Sequence, residues 1–432
     1  MHTFATFSFG CRVNQAEVEA INQELLKRGY ENKKESPDIY ILNTCSVTHK
    51  AEREARSHIY QVKRSSPDTK IVVTGCAATN WSKTNTQVDG VDYLVDNKGK
   101  EYIVDLIEQK YNIKRSKDPS THDIFDKPMT GSADDTFMRS KRAIIKIQDG
   151  CHRFCSFCIV PYLRGLPLSV PIDRVVSQVK AREGFSEVVL TAINTEAYGR
   201  DSGESFPQLV RSILEQTTIP RLSFGSIHPW SFQEEFFSLY ESYATSPRFV
   251  DFFHIPLQSG SNRMLTLMKR GYTREEFVEK LHRIARINPQ SQISTDVIVG
   301  FLEETDQDFE DTYSFLADTP IARFHVFRYS PREHTASYYL GKRLSKPSPT
   351  IQKERSIRLR SLSDSKFAAF QQGLVGSSFE TLMLEKRENG HELGLLSNQM
   401  QVWVKTEKDF TGEFVHVTIT TTKNGLLFGK IS

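Results

Sequence analysis

Short apolar runs, each followed by a stretch of helical apolar spacing, repeat along the first hundred residues. The runs cover residues 4–9, 39–42 and 70–74, and residues 16–28 and 50–63 set apolar side chains at helical spacing among charges. This alternation predicts a parallel sheet with crossover helices. A second alternation begins at 143, with predicted strands over 143–148, 187–193, 221–226, 252–257, 292–299 and 323–329. Helical patterns at 173–182, 208–214, 274–287 and 306–317 separate them. Six strand–helix units suit an open, partial barrel, whose chemistry would sit at the carboxyl ends of the strands. From 371 onward, short alternating runs such as 401–405 and 414–419, split by Gly and Asn, predict a small antiparallel β-barrel.

The expected class is therefore α/β, with an N-terminal open parallel sheet over 1–112, a central partial (β/α)6 barrel over 138–340 and the small barrel over 370–432. Residues 113–137 are rich in Lys, Ser, Asp, Pro and Thr without periodicity and read as a linker. Residues 341–369 read as a basic linker helix, with Lys342, Arg343, Lys346, Lys353, Arg355, Arg358, Arg360 and Lys366 against Glu354 and Asp364. A solvated helix face explains such a run, but it is also the segment best suited to meet a polyanion.

Composition supports a folded chain: 432 residues with 38% hydrophobic residues and 28 Phe can bury several cores. No apolar stretch reaches the roughly 18 residues of a membrane helix, and no basic-then-apolar leader opens the chain, so a cytoplasmic location and no membrane are expected. A net charge of +3 neither demands nor forbids a nucleic-acid partner.

The six cysteines fall into two trios. Cys11, Cys45 and Cys76 each follow a predicted strand of the first domain, and in an open parallel sheet the strand ends bring distant residues together. Three buried structural cysteines is the plainer alternative for them. Cys151-His152-Arg153-Phe154-Cys155-Ser156-Phe157-Cys158 is C-x3-C-x2-C, just past a predicted strand. Three thiolates suit a [4Fe–4S] cluster with one iron left open; zinc usually takes four protein ligands, for which His152 would have to serve. Two metal centres are expected.

The spacing of the second trio, with an aromatic residue before its last cysteine, resembles the radical S-adenosylmethionine superfamily. Cys11, Asn43-Thr44-Cys45, Gly75-Cys76, Gln148-Asp149-Gly150-Cys151, Pro161-Tyr162-Leu163-Arg164-Gly165, Pro256-Leu257-Gln258-Ser259-Gly260-Ser261, Met268-Lys269-Arg270-Gly271-Tyr272-Thr273, Asp296-Val297-Ile298-Val299-Gly300-Phe301 and Phe327-Arg328-Tyr329-Ser330-Pro331-Arg332 extend the likeness to the methylthiotransferase family. The chain departs from that family's pattern at Leu166–Val170, at Leu302-Glu303-Glu304 and at His334.

The resemblance implies an enzyme that replaces a C–H hydrogen with a methylthio group, using S-adenosyl-L-methionine and two [4Fe–4S] clusters. Cys151, Cys155 and Cys158 would hold the cluster that binds S-adenosylmethionine, with Phe157 as a contact, and Cys11, Cys45 and Cys76 the cluster that delivers sulfur. An external electron donor such as flavodoxin or ferredoxin is implied, and the tail is similar to the RNA-associated TRAM barrel. Gly10-Cys11-Arg12-Val13-Asn14-Gln15 and Thr44-Cys45-Ser46-Val47-Thr48-His49-Lys50-Ala51 look most like the branch that modifies C2 of N6-threonylcarbamoyladenosine beside the tRNA anticodon. That substrate carries a carboxylate, for which Arg12 or Lys50 could supply a cation, while Arg355, Arg358 and Arg360 would meet RNA phosphate. Isopentenylated tRNA adenosine and a ribosomal protein are alternative substrates; a non-enzymatic iron–sulfur carrier or scaffold is the alternative of another class.

Overall fold

The computed structural model describes residues 2–113 and 140–432. The linker read at 113–137 lies, apart from its first residue, outside the described residues.

The first domain is a five-stranded parallel sheet in the order β2-β1-β3-β4-β5. Its strands are β1 (Thr3–Ser8), β2 (Glu31–Asn32), β3 (Ile39–Thr44), β4 (Lys70–Gly75) and β5 (Tyr93–Leu94). Helices α1 (Arg12–Lys27), α2 (His49–Ser65), α3 (Cys76–Lys83) and α4 (Ile103–Lys110) connect and flank them. The middle strands read Ile-Tyr-Ile-Leu-Asn-Thr and Lys-Ile-Val-Val-Thr-Gly and are buried almost throughout, as a sheet covered on both faces requires.

The central domain carries six parallel strands: β6 (Arg142–Asp149), β8 (Glu187–Ala192), β9 (Arg221–Phe224), β10 (Phe252–His254), β11 (Gln292–Val299) and β12 (Arg323–Arg328). The two-residue β7 (Leu168–Ser169) lies antiparallel on the edge of β6. Two single bridges, Leu222 to Phe249 and Ser226 to His254, join β9 to the β10 side, so the six strands form one open wall. Alternation along the strands divides its faces: Ala143, Ile145, Ile147, Val188 and Leu190 pack into the main core, whereas Ile144 and Val189 turn the other way and pack on Ala16 of α1. The first domain therefore rests against the inner face of the partial barrel.

Residues 341–369 do not form a single helix. A short helix, Ala336–Leu340, is followed by a turn and then by the 25-residue helix Pro349–Gly373. Ser348 caps the long helix, its side chain accepting from the Ile351 amide, and Pro349 follows at the first helical position. Leu359 and Ser363 are buried, and Ser363 Oγ accepts from the Phe324 amide at 2.9 Å. The helix is thus a structural strut along β12.

The tail forms a closed barrel, β13-β14-β15-β17-β16, from β13 (Ser378–Glu388), β14 (His391–Leu396), β15 (Gln401–Lys405), β16 (Phe414–Lys423) and β17 (Leu426–Ile431). It docks on the amino ends of the central strands. Arg221, at the start of β9 and fully buried, donates to the carbonyls of Leu395 (2.9 Å) and Glu380 (3.0 Å). Arg142, at the start of β6, pairs with Glu187 at 2.6 Å and reaches Gln399.

Candidate functional site

Cys45 and Cys76 stand immediately beyond the carboxyl ends of β3 and β4, Cys11 stands three residues past the end of β1, and the three strands are neighbours in the sheet. Cys11 is the residue before α1, and Cys76 opens α3. Glycine makes the approach possible. Gly75 has φ +96°, and a Cβ there would lie 2.4 Å from the Thr44 carbonyl oxygen; Gly10, also at +96°, would put a Cβ 2.6 Å from Cys45 Cβ. Gly75→Ala is expected to destabilise the protein by ~1–3 kcal/mol through left-handed strain and backbone overlap, measurable as a lower midpoint in denaturant.

Burial pushes the Cys45 thiol up to about 12, with Cys76 and Cys11 adding to the rise. Cys11 is raised chiefly by burial, with Cys76 contributing, against the lowering pull of Arg164. Cys11 is accessible to solvent.

The second trio lies past the end of β6. Gly150 has φ +72°, and a Cβ there would lie 2.1 Å from the Leu166 carbonyl oxygen; the Cys151 amide donates to the Gly165 carbonyl at 3.0 Å. The middle of the loop is pinned to the far side of the barrel: the Ser156 amide donates to Met268 (2.9 Å) and its hydroxyl to Leu267 (2.7 Å). Burial raises the Cys158 thiol to about 12, with Cys155 and Cys151 contributing.

Donors already surround the sulfurs. Asn194 Nδ2 lies 3.5 Å from Cys151 Sγ, and Arg270 Nη1 lies 3.4 Å from Cys155 Sγ. Burial works against the Arg270 charge, but Tyr272 and Cys155 more than offset it, and the guanidinium lies 4.7 Å from the centroid of the Trp230 ring. Such donors suit thiolates bound to a cluster better than neutral thiols.

Among the described residues no three His, Cys, Asp or Glu side chains gather tightly enough to hold a single metal ion. Within each trio, however, the thiols act on one another electrostatically. Three thiols in each trio are the donor set that a four-iron cluster with one open iron takes. His152 turns its Nε2 to Glu196 at 3.3 Å.

The other sequence-derived residues are distributed differently. Phe157 packs beside Met264, Met268, Phe301 and Tyr329 at the carboxyl ends of the strands. Arg12 reaches across the domain boundary, its Nη1 donating to the Phe224 carbonyl at 3.4 Å. Lys50 is 75% exposed and faces Glu54 at 3.5 Å on α2, whereas Arg12 turns to the Phe224 carbonyl.

The expected phosphate contact of Arg355 is corrected. Arg355 is 5% exposed and is bonded to Glu304 and to Asp306, the latter at 2.6 Å. Glu304 also accepts from the Gly300 amide at 2.7 Å, which gives the unusual Leu302-Glu303-Glu304 sequence a role as the socket of the long helix. Arg358 pairs with Glu310 at 2.7 Å over the Phe309 ring, and Arg360 Nη2 approaches the Val326 carbonyl at 3.4 Å. Arg355→Met is expected to cost ~3–5 kcal/mol, because it leaves Glu304 buried without its counter-charge, and the loss is read from thermal unfolding.

Sequence reasoning gave no role to Asn14, Glu17, Asn97, Asn194, Glu196 or Arg332. Arg332 is buried and joins the end of the central domain to the first trio's neighbourhood, donating to Ser46 Oγ (2.8 Å), Glu52 and His49 (3.0 Å). The motif around Arg332 was visible in the sequence; its partners, some 280 positions away, were not.

An open six-stranded wall with a three-cysteine loop past its first strand defines a radical S-adenosylmethionine protein. Residues 145–316 match the Radical SAM superfamily, and residues 3–96 match Uncharacterized protein family UPF0004. The chain is 35% identical over 406 residues to the threonylcarbamoyladenosine tRNA methylthiotransferase MtaB of Aquifex aeolicus (strain VF5), covering 90% of this chain and 97% of that protein. It is 32% identical to the protein of that name from Bacillus subtilis (strain 168), covering 97% and 94%. A tRNA-2-methylthio-N(6)-dimethylallyladenosine synthase of Bacillus pumilus (strain SAFR-032) is 31% identical, covering 98% and 85%. In fold, the chain is similar to the radical S-adenosylmethionine methyltransferase TsrM of Kitasatospora setae, with a TM-score of 0.56 at 13% identity over 78% of this chain and 74% of that one. The chain belongs to the radical S-adenosylmethionine methylthiotransferase family. It is an enzyme that transfers a methylthio group, and [4Fe–4S] and S-adenosylmethionine are the cofactors of its class. No helix among the described residues is long and apolar enough to cross a membrane.

Proposed function

We propose that this enzyme methylthiolates C2 of N6-threonylcarbamoyladenosine in tRNA, with Cys151, Cys155 and Cys158 holding one [4Fe–4S] cluster and Cys11, Cys45 and Cys76 a second. The observation that carries the reading is the meeting of three cysteines from distant parts of the sequence at the ends of adjacent strands, in a domain that rests on the inner face of the barrel. The names of the relatives at 33–35% identity favour the threonylcarbamoyl substrate. When bound, the cofactors supply the one-electron chemistry that activates an unreactive C–H bond, with an external carrier as the electron source.

The protein's own residues orient and enclose. Asn194 and Arg270 point donors at Cys151 and Cys155, fixing the loop that presents the open iron. Phe157, with Met264, Met268 and Phe301, keeps the neighbouring wall apolar and limits water. Arg12, placed at the end of β9 between the two trios' domains, is the better of the two proposed cations for a substrate carboxylate.

The deciding experiment is mass analysis of tRNA nucleosides from a deletion strain and its complemented control. Loss of 2-methylthio-N6-threonylcarbamoyladenosine supports the reading. Loss of the 2-methylthio isopentenyl nucleoside instead would transfer the assignment to the branch represented by the Bacillus pumilus relative.

RNA binding offers a further prediction. With Arg355 committed to the interior and Arg358 paired with Glu310, the exposed Lys342, Arg343, Lys346 and Lys353 are, beside the exposed Arg360, the side chains of this segment available to phosphate. Changing all four to Gln is expected to flatten the slope of log affinity against log salt by ~0.7–0.9 for each phosphate that is no longer neutralised. An unchanged slope would place the phosphate-binding surface elsewhere.

A further inference from the structure

A buried charge network crosses the boundary between the two cysteine trios. Its centre is Arg164, six residues beyond Cys158, whose side chain is 1% exposed. Arg164 donates to Glu17 of α1 (2.8 Å), to Asp149 at the end of β6 (2.8 Å) and to Asn14 Oδ1 (2.8 Å). Lys100 reaches Glu17 at 2.6 Å, and Lys146 bonds both Glu17 (3.0 Å) and Asp149 (2.7 Å). Three cations thus meet two carboxylates, leaving one positive charge in excess.

That excess charge lies beside the first trio. Asn14, which holds Arg164, has its Oδ1 3.8 Å from Cys11 Sγ, and its Nδ2 donates to the carbonyls of Phe9 and Thr44, the residues before Gly10-Cys11 and before Cys45. Leu163, next to Arg164, packs with Ile159 on Cys76; its carbonyl accepts from Asn97, whose Nδ2 lies 3.9 Å from Cys76 Sγ. Burial opposes the guanidinium charge, but Cys76 and Glu17 outweigh it.

Resting on the cluster assignment above, the geometry points to Arg164 as a positioning residue that sets the reduction potential of the cluster on Cys11, Cys45 and Cys76. One-electron reduction adds a negative charge to that cluster, and a buried cation nearby favours the reduced state. Because Arg164 belongs to the segment that continues from Cys158, the loop of one centre tunes the electronics of the other. The sequence motif Leu163-Arg164-Gly165 then serves two ends: Gly165 closes the Cys151 turn, while Arg164 faces the neighbouring domain.

The test is potentiometric titration, followed by electron paramagnetic resonance, of the full chain reconstituted without oxygen and carrying alanine at 151, 155 and 158, so that only the first cluster is read. In this background, Arg164→Gln is expected to shift the reduced-to-oxidised ratio on the order of tenfold toward oxidised at a fixed potential, which is ~59 mV for a one-electron couple. Arg164→Lys should largely restore the parent value, and Glu17→Gln should shift it the opposite way. Full iron content with an unchanged potential in Arg164→Gln, or equal-signed shifts in Arg164→Gln and Glu17→Gln, would overturn the inference. If Arg164→Gln loses iron, Lys146→Met decides: a shift toward oxidised supports the inference and no shift overturns it. A background that binds no iron would overturn the cluster assignment itself, and this inference with it.

Discussion

Replacing Cys151, Cys155 and Cys158 with alanine is expected to abolish reductive cleavage of S-adenosylmethionine and to leave about four of about eight irons, one four-iron cluster's worth. The three residues share one loop, held by the Gly150 turn at one end and by Ser156 against Met268 in the middle. Alanine at each removes the sulfur without disturbing those backbone anchors, so the protein should remain folded. Iron analysis and detection of 5′-deoxyadenosine under strong reductant check the two halves. Cleavage that persisted in the triple variant would refute the assignment.

The reciprocal variant, with alanine at Cys11, Cys45 and Cys76, is expected to lose more than about tenfold, and in the limit all, of the methylthiolated product while still cleaving S-adenosylmethionine. The reason is spatial: these thiols belong to a different sheet, and Asn194 and Arg270, the donors to the other trio, touch none of them. Product is measured by mass analysis of tRNA nucleosides, and cleavage by release of 5′-deoxyadenosine. If product forms at the parent level, the first trio is structural. If both activities vanish while about four irons stay bound, the two centres are coupled more tightly than separate sheets imply.

What could be read from the chain was whatever obeys a short period. The strands of the first sheet and of the barrel alternate or run apolar over four to eight residues, so β11 appears at its full extent, Gln292–Val299. The cysteines were legible for a related reason: each follows a strand, and parallel strands align their ends. The roles of long-range polar partners were not legible. Arg164 and Glu17 are 147 residues apart, and nothing local marks their meeting. Arg355 reads as one more basic residue on a helix until Glu304, 51 positions earlier, is found beneath it. The helix α1 looked like an ordinary crossover because its contact with Ile144 and Val189 depends on how two domains dock, which no pattern within either domain encodes.

The seat of the tail barrel has a consequence for how a substrate is handled. Arg142, Glu187 and Arg221 fasten it to the amino ends of the central strands, whereas both cysteine trios stand at carboxyl ends. The eight residues of β6 alone span ~26 Å between those two poles at about 3.3 Å per residue. A free nucleoside cannot bridge that span; a folded RNA can. Any contact the tail makes with a substrate is thus held a strand's length away from the chemistry at the two cysteine trios.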